Sequence, residues 1–249
     1  MHKFLTMVNL AVDLGNTRVK FGVFEDSVLK KVWAGNLPEA KAELLELEKN
    51  YQIAIVAICA TGNSKDFVTF VKKRSLSVEV LSSQTALPFQ NGYGTPQTLG
   101  VDRIALVAGA QKNYSGSNVL VIDAGTCVTY DFKDNNDVYK GGAISPGLQM
   151  RFKAMHEFTA GLPYVEVGDE PIEVIGVSTK TALQSGVVNG LVAEIDGLID
   201  WYKNNYSELT IILTGGDGVF LSSRLKNGIF ANSNFLLEGL NYITEFNRN

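Results

Sequence analysis

The sequence predicts an α/β protein of two similar lobes, each opening with a three-stranded meander and continuing as helix, strand and helix. Two apolar runs, at 8–14 and 118–123, each end in an aspartate followed by a glycine turn: Asp13-Leu14-Gly15-Asn16-Thr17 and Asp123-Ala124-Gly125-Thr126. After each, short segments joined by tight turns alternate polar and apolar residues, the pattern of antiparallel strands. The same order of elements, βββαβα, then runs twice along the 249 residues.

In chain order, residues 8–14 (VNLAVDL) read as a buried strand. Residues 18–25 (RVKFGVFE) alternate and 27–34 continue in that style, so the three form a meander with Gly15-Asn16 as its first turn. Pro38, early acids and helically spaced leucines predict a helix over 38–50. A buried strand follows at 53–58, a helix at 65–74 and a strand at 77–81. The segment 82–100 has no period; a loop of that length inside a compact domain is functional or disordered, and its Phe89, Tyr93 and prolines favour order. It leads through Gly100-Val101-Asp102-Arg103 into an apolar helical stretch.

The second half repeats the order. Strands are expected at 118–123, 127–132 and 137–144, helices at about 148–158 and 178–205, a strand at 209–213, a turn at 214–218 opening a helix, and a last helix near 235–247. The lobes divide as 1–115 and 116–249, with a cleft expected between them. This duplicated pattern resembles the actin-like, ribonuclease H-like architecture of actin, hexokinase and Hsp70. A doubly wound Rossmann-like sheet fits less well, because tight turns join the first three strands and parallel crossovers need roughly a dozen residues.

Composition narrows the function classes. An apolar content of 45% over this length fills one large or two small cores. A net charge of −4 without a basic stripe argues against a nucleic-acid partner, and Lys72-Lys73-Arg74 reads as a solvated helix end. Cys59, Cys127, His2 and His156 make no zinc-type pattern, and the two cysteines read as thiols of a cytosolic protein. No apolar run reaches the roughly 18 residues of a membrane span. The N-terminal MHKFLTMVNLAVDLGNT lacks an A-x-A site and runs into a motif, so it reads as a first strand rather than a signal peptide.

The two aspartate–glycine turns are the first candidates for chemistry. Gly15 lets backbone N–H groups approach a phosphate, Asn16 and Thr17 offer neutral donors, and Lys20 returns toward the same place on the next strand. Asp13 is suited to a hydrated Mg²⁺. In the second half Asp123 is a candidate cation ligand, and Thr126 and Thr129 are candidate phosphate donors. An ordinary hairpin explains either turn alone; two of the same form, opening two similar halves, point to one phosphate grip per lobe. Asp102 stands at a helix start, as a cap or as the acceptor of a proton from a substrate hydroxyl. Arg103 is placed to clamp an anion with its planar fork. Residues 141–147 (GGAISPG) connect a strand to a helix and are candidates for lining an acceptor pocket; Thr214-Gly215-Gly216 suits backbone contact with a nucleotide. The P-loop and protein-kinase motifs are absent from the sequence, so a nucleotide user of this kind needs another grip.

The ordered set D-x-G-N-T at 13–17, G-x-D-R at 100–103, D-x-G-T-x-x-T at 123–129, G-G-x-I-x-P-G at 141–147 and T-G-G at 214–216 resembles that of the type III pantothenate kinases. Each motif is loose; their order, from Asp13 to Gly216, makes the resemblance specific. Asn91-Gly92-Tyr93 and Gly176-Val177-Ser178-Thr179 are similar to further stretches of that family. The resemblance implies ATP-dependent phosphorylation of the primary hydroxyl of pantothenate, the first step of coenzyme A biosynthesis, by a cytoplasmic homodimer. It implies Asp102 as general base. Asp13, Leu14, Gly15, Asn16, Thr17, Arg18, Val19, Lys20 and Thr126 would grip ATP with its Mg²⁺. Tyr93, Gly100, Val101, Asp102 and Arg103 would contact pantothenate, with Thr179 completing the partner subunit's pocket. Asp123 would hold a monovalent cation, K⁺ or NH₄⁺. Another kinase or phosphatase of the superfamily, and a non-catalytic transcriptional accessory factor, are the alternatives; Asp13, Asp102 and Asp123 together speak against lost catalysis.

Overall fold

The computed structural model describes residues 5–15, 18–62, 65–168 and 171–248. Contacts divide them into one unit of Met1–Gly116, Asn136–Lys140 and Asn234–Asn249 and another of Ser117–Asn135 and Gly141–Ser233.

The first unit begins with β1 (Thr6–Leu14), β2 (Val19–Glu25) and β3 (Val28–Gly35), the expected antiparallel meander. Helix α1 (Leu37–Asn50) starts at a capping box: Asn36 Oδ1 accepts from the Glu39 N–H, and the Asn36 N–H donates to Glu39 Oε2. Then come β4 (Tyr51–Ala60), α2 (Lys65–Lys72), β5 (Val78–Val80), the two-residue β6 (Gln90–Asn91), a 3₁₀ turn at Pro96–Thr98, and α3 (Val101–Asn113). The sheet order is β3-β2-β1-β4-β5, with β1–β4 and β4–β5 parallel.

The second unit holds β7 (Val119–Ala124), β8 (Cys127–Lys133), β9 (Val138–Pro146) beyond its first residues, α4 (Leu148–Glu157), α5 (Thr179–Asn205), β10 (Thr210–Thr214), α6 (Gly218–Ser222) and β11 (Phe230–Ala231). Its strands run β11-β10-β7-β8-β9, with β7–β8 antiparallel and β7–β10 and β10–β11 parallel. That is the order of the first sheet over again. The start of β9 belongs to the first unit, where Val138 and Tyr139 pair with Gln90 and Asn91.

Strand period places the functional side chains. Successive residues of a strand face opposite sides. Val8, Leu10, Val12 and Leu14 pack with Leu44 of α1 and Phe67 of α2. Ala11 instead joins Ile104 and Ala108 of α3 in a separate cluster, so Asp13, two residues on, is turned to the α3 side. In the second unit Leu120, Ile122, Val128 and Tyr130 pack with Phe152 of α4 and Leu191 of α5, leaving Asp123 and Thr129 on the other face.

The last helix, α7 (Phe235–Phe246), corrects the expected division of the chain. A cut at 115/116 puts it in the second lobe, whereas the contacts put it in the first unit. Leu237, Leu240 and Ile243 share a core with α3, β1 and β4, and Gly239 lies so close to the Ala105 carbonyl that a methyl group there would overlap it. The short strands β6 and β11 are further additions; neither is long enough to leave a periodic signal.

Candidate active site

In the first unit the turn after β1 is closed by the Gly15 N–H, which donates to the Arg18 carbonyl at 3.1 Å. Asn16 and Thr17 lie outside the described residues. Leu14 and Val19 are buried, so they offer a ligand their backbone alone, while Arg18 is exposed. Asp13 pairs across the ladder with Lys20 and on its other side with Cys59. Burial, and then the charge of Asp102, push the Asp13 carboxyl up to about 6, against an opposing pull from Lys20.

Asp102 sits in the first turn of α3, and its Oδ1 accepts the Arg103 N–H at 2.9 Å. Gly100 precedes it because a Cβ there would overlap the Asp102 carboxylate. Arg103 is 5% exposed and its guanidinium lies 5.7 Å from the Tyr93 ring centroid. Tyr93 in turn stacks on Tyr139, with ring centroids 5.8 Å apart and planes at 19°. The backbone of this loop is tied down: the Tyr93 N–H donates to Asn91 Oδ1, and the Gly92 N–H to the Tyr139 carbonyl. Val101 packs against the same cluster. The first unit thus gathers Asp13, Lys20, Tyr93, Gly100, Val101, Asp102 and Arg103 from four separate parts of the chain.

In the second unit Asp123 is next to last in β7, opposite Thr129 and beside Thr214. The Gly125 N–H donates to the Cys127 carbonyl and the Gly147 N–H to the Thr126 carbonyl, leaving the Thr126 side chain exposed. Gly215, at φ +94°, lies against the Asp123 carboxylate and the Ala124 carbonyl, where any side chain would overlap both. The Asp217 N–H also donates to that carbonyl. Thr129 is not available as a phosphate donor in the way expected: it is buried and its hydroxyl donates to Asp131 at 3.1 Å. Thr179 is the first residue of α5, behind a Ser178–Thr181 capping box, and is exposed.

Among the described residues no three His, Cys, Asp or Glu side chains cluster as a metal site. Single carboxylates suit Mg²⁺ that arrives on a nucleotide, because this ion keeps waters and phosphate oxygens and takes only one or two protein carboxylates. The Asp13–Asp102 repulsion fits as well, since a cation beside Asp13 relieves it. At Asp123, one carboxylate oxygen and the Ala124 carbonyl both lie close to Gly215.

Sequence reasoning missed one group of polar residues. Arg151 in α4 pairs with Glu194 in α5, and Glu194 also accepts from the Tyr130 hydroxyl. No local pattern announces it, because its members come from three elements.

The profile of the family described as type III pantothenate kinase matches residues 9–201. A Flavobacterium johnsoniae protein named type III pantothenate kinase is 50% identical over 240 residues, covering 95% of this chain and 97% of that one. One of the same name from Christiangramia forsetii is 48% identical over 242 residues, covering 97% and 99%. Among solved structures, a Campylobacter jejuni protein described as a Baf family transcriptional activator aligns with a TM-score of 0.63 at 21% identity, covering 96% of this chain and 98% of that one. An inorganic polyphosphate/ATP-glucomannokinase from Arthrobacter sp. strain KM aligns at 0.50 and 13% identity, covering 96% and 99%. These two likenesses show the fold alone, an α/β fold shared over nearly the whole chain. The profile match and the near-full-length relatives show more: the chain belongs to the type III pantothenate kinase family.

Proposed function

We propose that this chain transfers the γ-phosphoryl group of ATP to the primary hydroxyl of pantothenate, the first step of coenzyme A biosynthesis, with Asp102 as the base. Membership of the family makes the chain a kinase. The observation that carries the site is that Asp13, a candidate metal-side carboxylate, faces the α3 side of the same unit in which Asp102, the candidate base, stands in the first turn of α3.

In phosphoryl transfer the protein mainly positions reactants and neutralises charge. As the acceptor oxygen bonds to the γ-phosphorus, the bond to the leaving ADP breaks and the hydroxyl proton passes to Asp102. Arg103, held over Tyr93, is the clamp for the pantothenate carboxylate; Gly100 and Val101 shape the same wall. The turn from Asp13 to Lys20 and the Thr126 hydroxyl are assigned to the ATP phosphates. Asp13 would hold Mg²⁺ and Asp123 the monovalent cation, K⁺ or NH₄⁺; both ions supply positive charge to the phosphates.

A homodimer with Thr179 completing the partner subunit's acceptor pocket is part of the same reading. Supporting it, Val174, Ile175 and Val177, just ahead of Thr179, are 78%, 81% and 91% exposed. Along α5, Ala182, Gly186, Gly190, Ala193 and Gly197 form an exposed face of small residues, which would let another helix approach closely. The proposed location is the cytoplasm.

The test is ADP release from ATP with and without pantothenate. Release that depends on pantothenate supports the reading; equal release in both cases, with other acceptor acids and sugars active instead, would sink it.

A further inference from the structure

We propose that Arg151 and Glu194 are positioning residues for the 124–126 turn, and that they set nucleotide affinity; this rests on the assignment of Thr126 to the ATP phosphates. The argument is a closed ring of contacts within the second unit. Thr126 leads directly into β8, four residues before Tyr130 reaches its place in the core with no exposed surface. The Tyr130 hydroxyl donates to Glu194 Oε1 at 3.1 Å. The other Glu194 oxygen accepts from Arg151 Nη2 at 2.5 Å. Arg151 also donates from Nε to the Pro146 carbonyl and from Nη2 to the Ser145 hydroxyl, both at 2.9 Å. Pro146 is followed by Gly147, whose N–H donates back to the Thr126 carbonyl at 3.1 Å.

Two glycines tighten this ring. A Cβ on Gly147 would overlap the carbonyls of Gly125 and Thr126, and one on Gly142 would overlap that of Tyr130. The turn is therefore pressed between β8 on one side and the start of α4 on the other. The brace fixes both. Burial alone would raise the Glu194 carboxyl, but donors from Arg151, Ser145 and Tyr130 outweigh it and hold the group below its ordinary range. The planar guanidinium serves Pro146 from Nε and both Ser145 and Glu194 from Nη2.

The role is one of placement, since neither side chain is on the exposed turn. A group that acts by holding the Thr126 turn should change nucleotide binding and leave the acceptor alone. A merely structural pair should change melting temperature and neither substrate.

The experiment compares wild type with Arg151→Lys, Glu194→Gln and the milder Tyr130→Phe. Binding of MgADP is titrated by calorimetry, without turnover; KM for ATP, KM for pantothenate and kcat are measured beside it, and thermal melts report folding. Arg151→Lys and Glu194→Gln are expected to weaken MgADP and raise KM for ATP by roughly tenfold, the scale of one lost charge-assisted hydrogen bond, with KM for pantothenate within about twofold. Tyr130→Phe should weaken MgADP by roughly threefold, and it decides the matter if the other two fail to fold. Folded variants with wild-type MgADP affinity overturn the proposal, as does an equal rise in both KM values. If wild type ignores pantothenate, the reading of function fails while the MgADP titration still tests the brace.

Discussion

The carboxyl group of Asp13 lies within the field of Asp102, and burial together with that field lifts its pKa from 3.8 to about 6. One residue is next to last in β1 and the other is the second of α3. Ala11, two residues before Asp13, packs on α3, so a carboxylate at position 13 is carried to the same side as the helix start. Lys20, across the ladder, offsets part of the repulsion.

Removing Asp102 should therefore have two effects. As the base, Asp102→Asn should lower kcat by roughly 10²–10⁴-fold with the fold intact. As a neighbour, it should let the Asp13 pKa fall, which carbon-13 NMR of labelled aspartate reads directly. A folded variant with near wild-type kcat removes the base; an unmoved Asp13 titration removes the coupling.

The raised pKa also sets a pH dependence. The folded state binds the Asp13 proton more tightly than the unfolded chain, so this group's contribution to stability falls as pH rises from about 4 through about 6. Asp13→Asn should thus be more stable than wild type at pH 7, by roughly 1–3 kcal/mol, and no more stable at pH 3.5. The same variant should lose ATP turnover, and wild-type kcat/KM for MgATP should decline below about pH 6. Equal melting temperatures of the two proteins at pH 7 would show that Asp13 is not strained.

The second unit makes a prediction about ions. Turnover should be faster in potassium or ammonium than in sodium or Tris, and Asp123→Ala should remove that difference. Gly215→Ala should do the same by steric means, because its φ of +94° and its contact with the Asp123 carboxylate leave no room for a methyl group. Equal rates in all four buffers would exclude a bound monovalent cation.

The dimer is tested by mass and by mixing. Sedimentation should give about twice 27.1 kDa. A mixture of Asp102→Asn and Thr179→Ala chains should recover part of the activity that each has lost. If Thr179 serves the partner subunit, a mixed dimer has both lesions in one pocket and none in the other. A fully active monomer excludes the dimer, and a dimer without recovery excludes Thr179 from the shared pocket.

Much of this architecture was legible locally. The meander at 6–35 follows from alternation and tight turns, α1 from Pro38, its early acids and its helically spaced leucines, and the two aspartate turns from glycine at the point where the chain must reverse. Gly100 and Gly147 stood out as motif residues before the contacts supplied their reason, which is close approach to the Asp102 carboxylate and to the carbonyls of Gly125 and Thr126. Thr129 shows the limit of motif reading: its position in the pattern suggested a donor to phosphate, while Asp131, two residues along the same strand face, takes its hydroxyl.

The sequence by itself determined the order of elements, the duplication and the aspartates at the strand ends, because strand period, capping and turn chemistry act over a few neighbouring residues. Only the tertiary structure decided that α7 returns to the first unit, that Asp13 feels Asp102, and that Arg151, Glu194 and Tyr130 brace one turn. Each of these joins residues far apart along the chain. Such contacts depend on which apolar faces are buried together, and a pattern read over a dozen residues does not contain that choice.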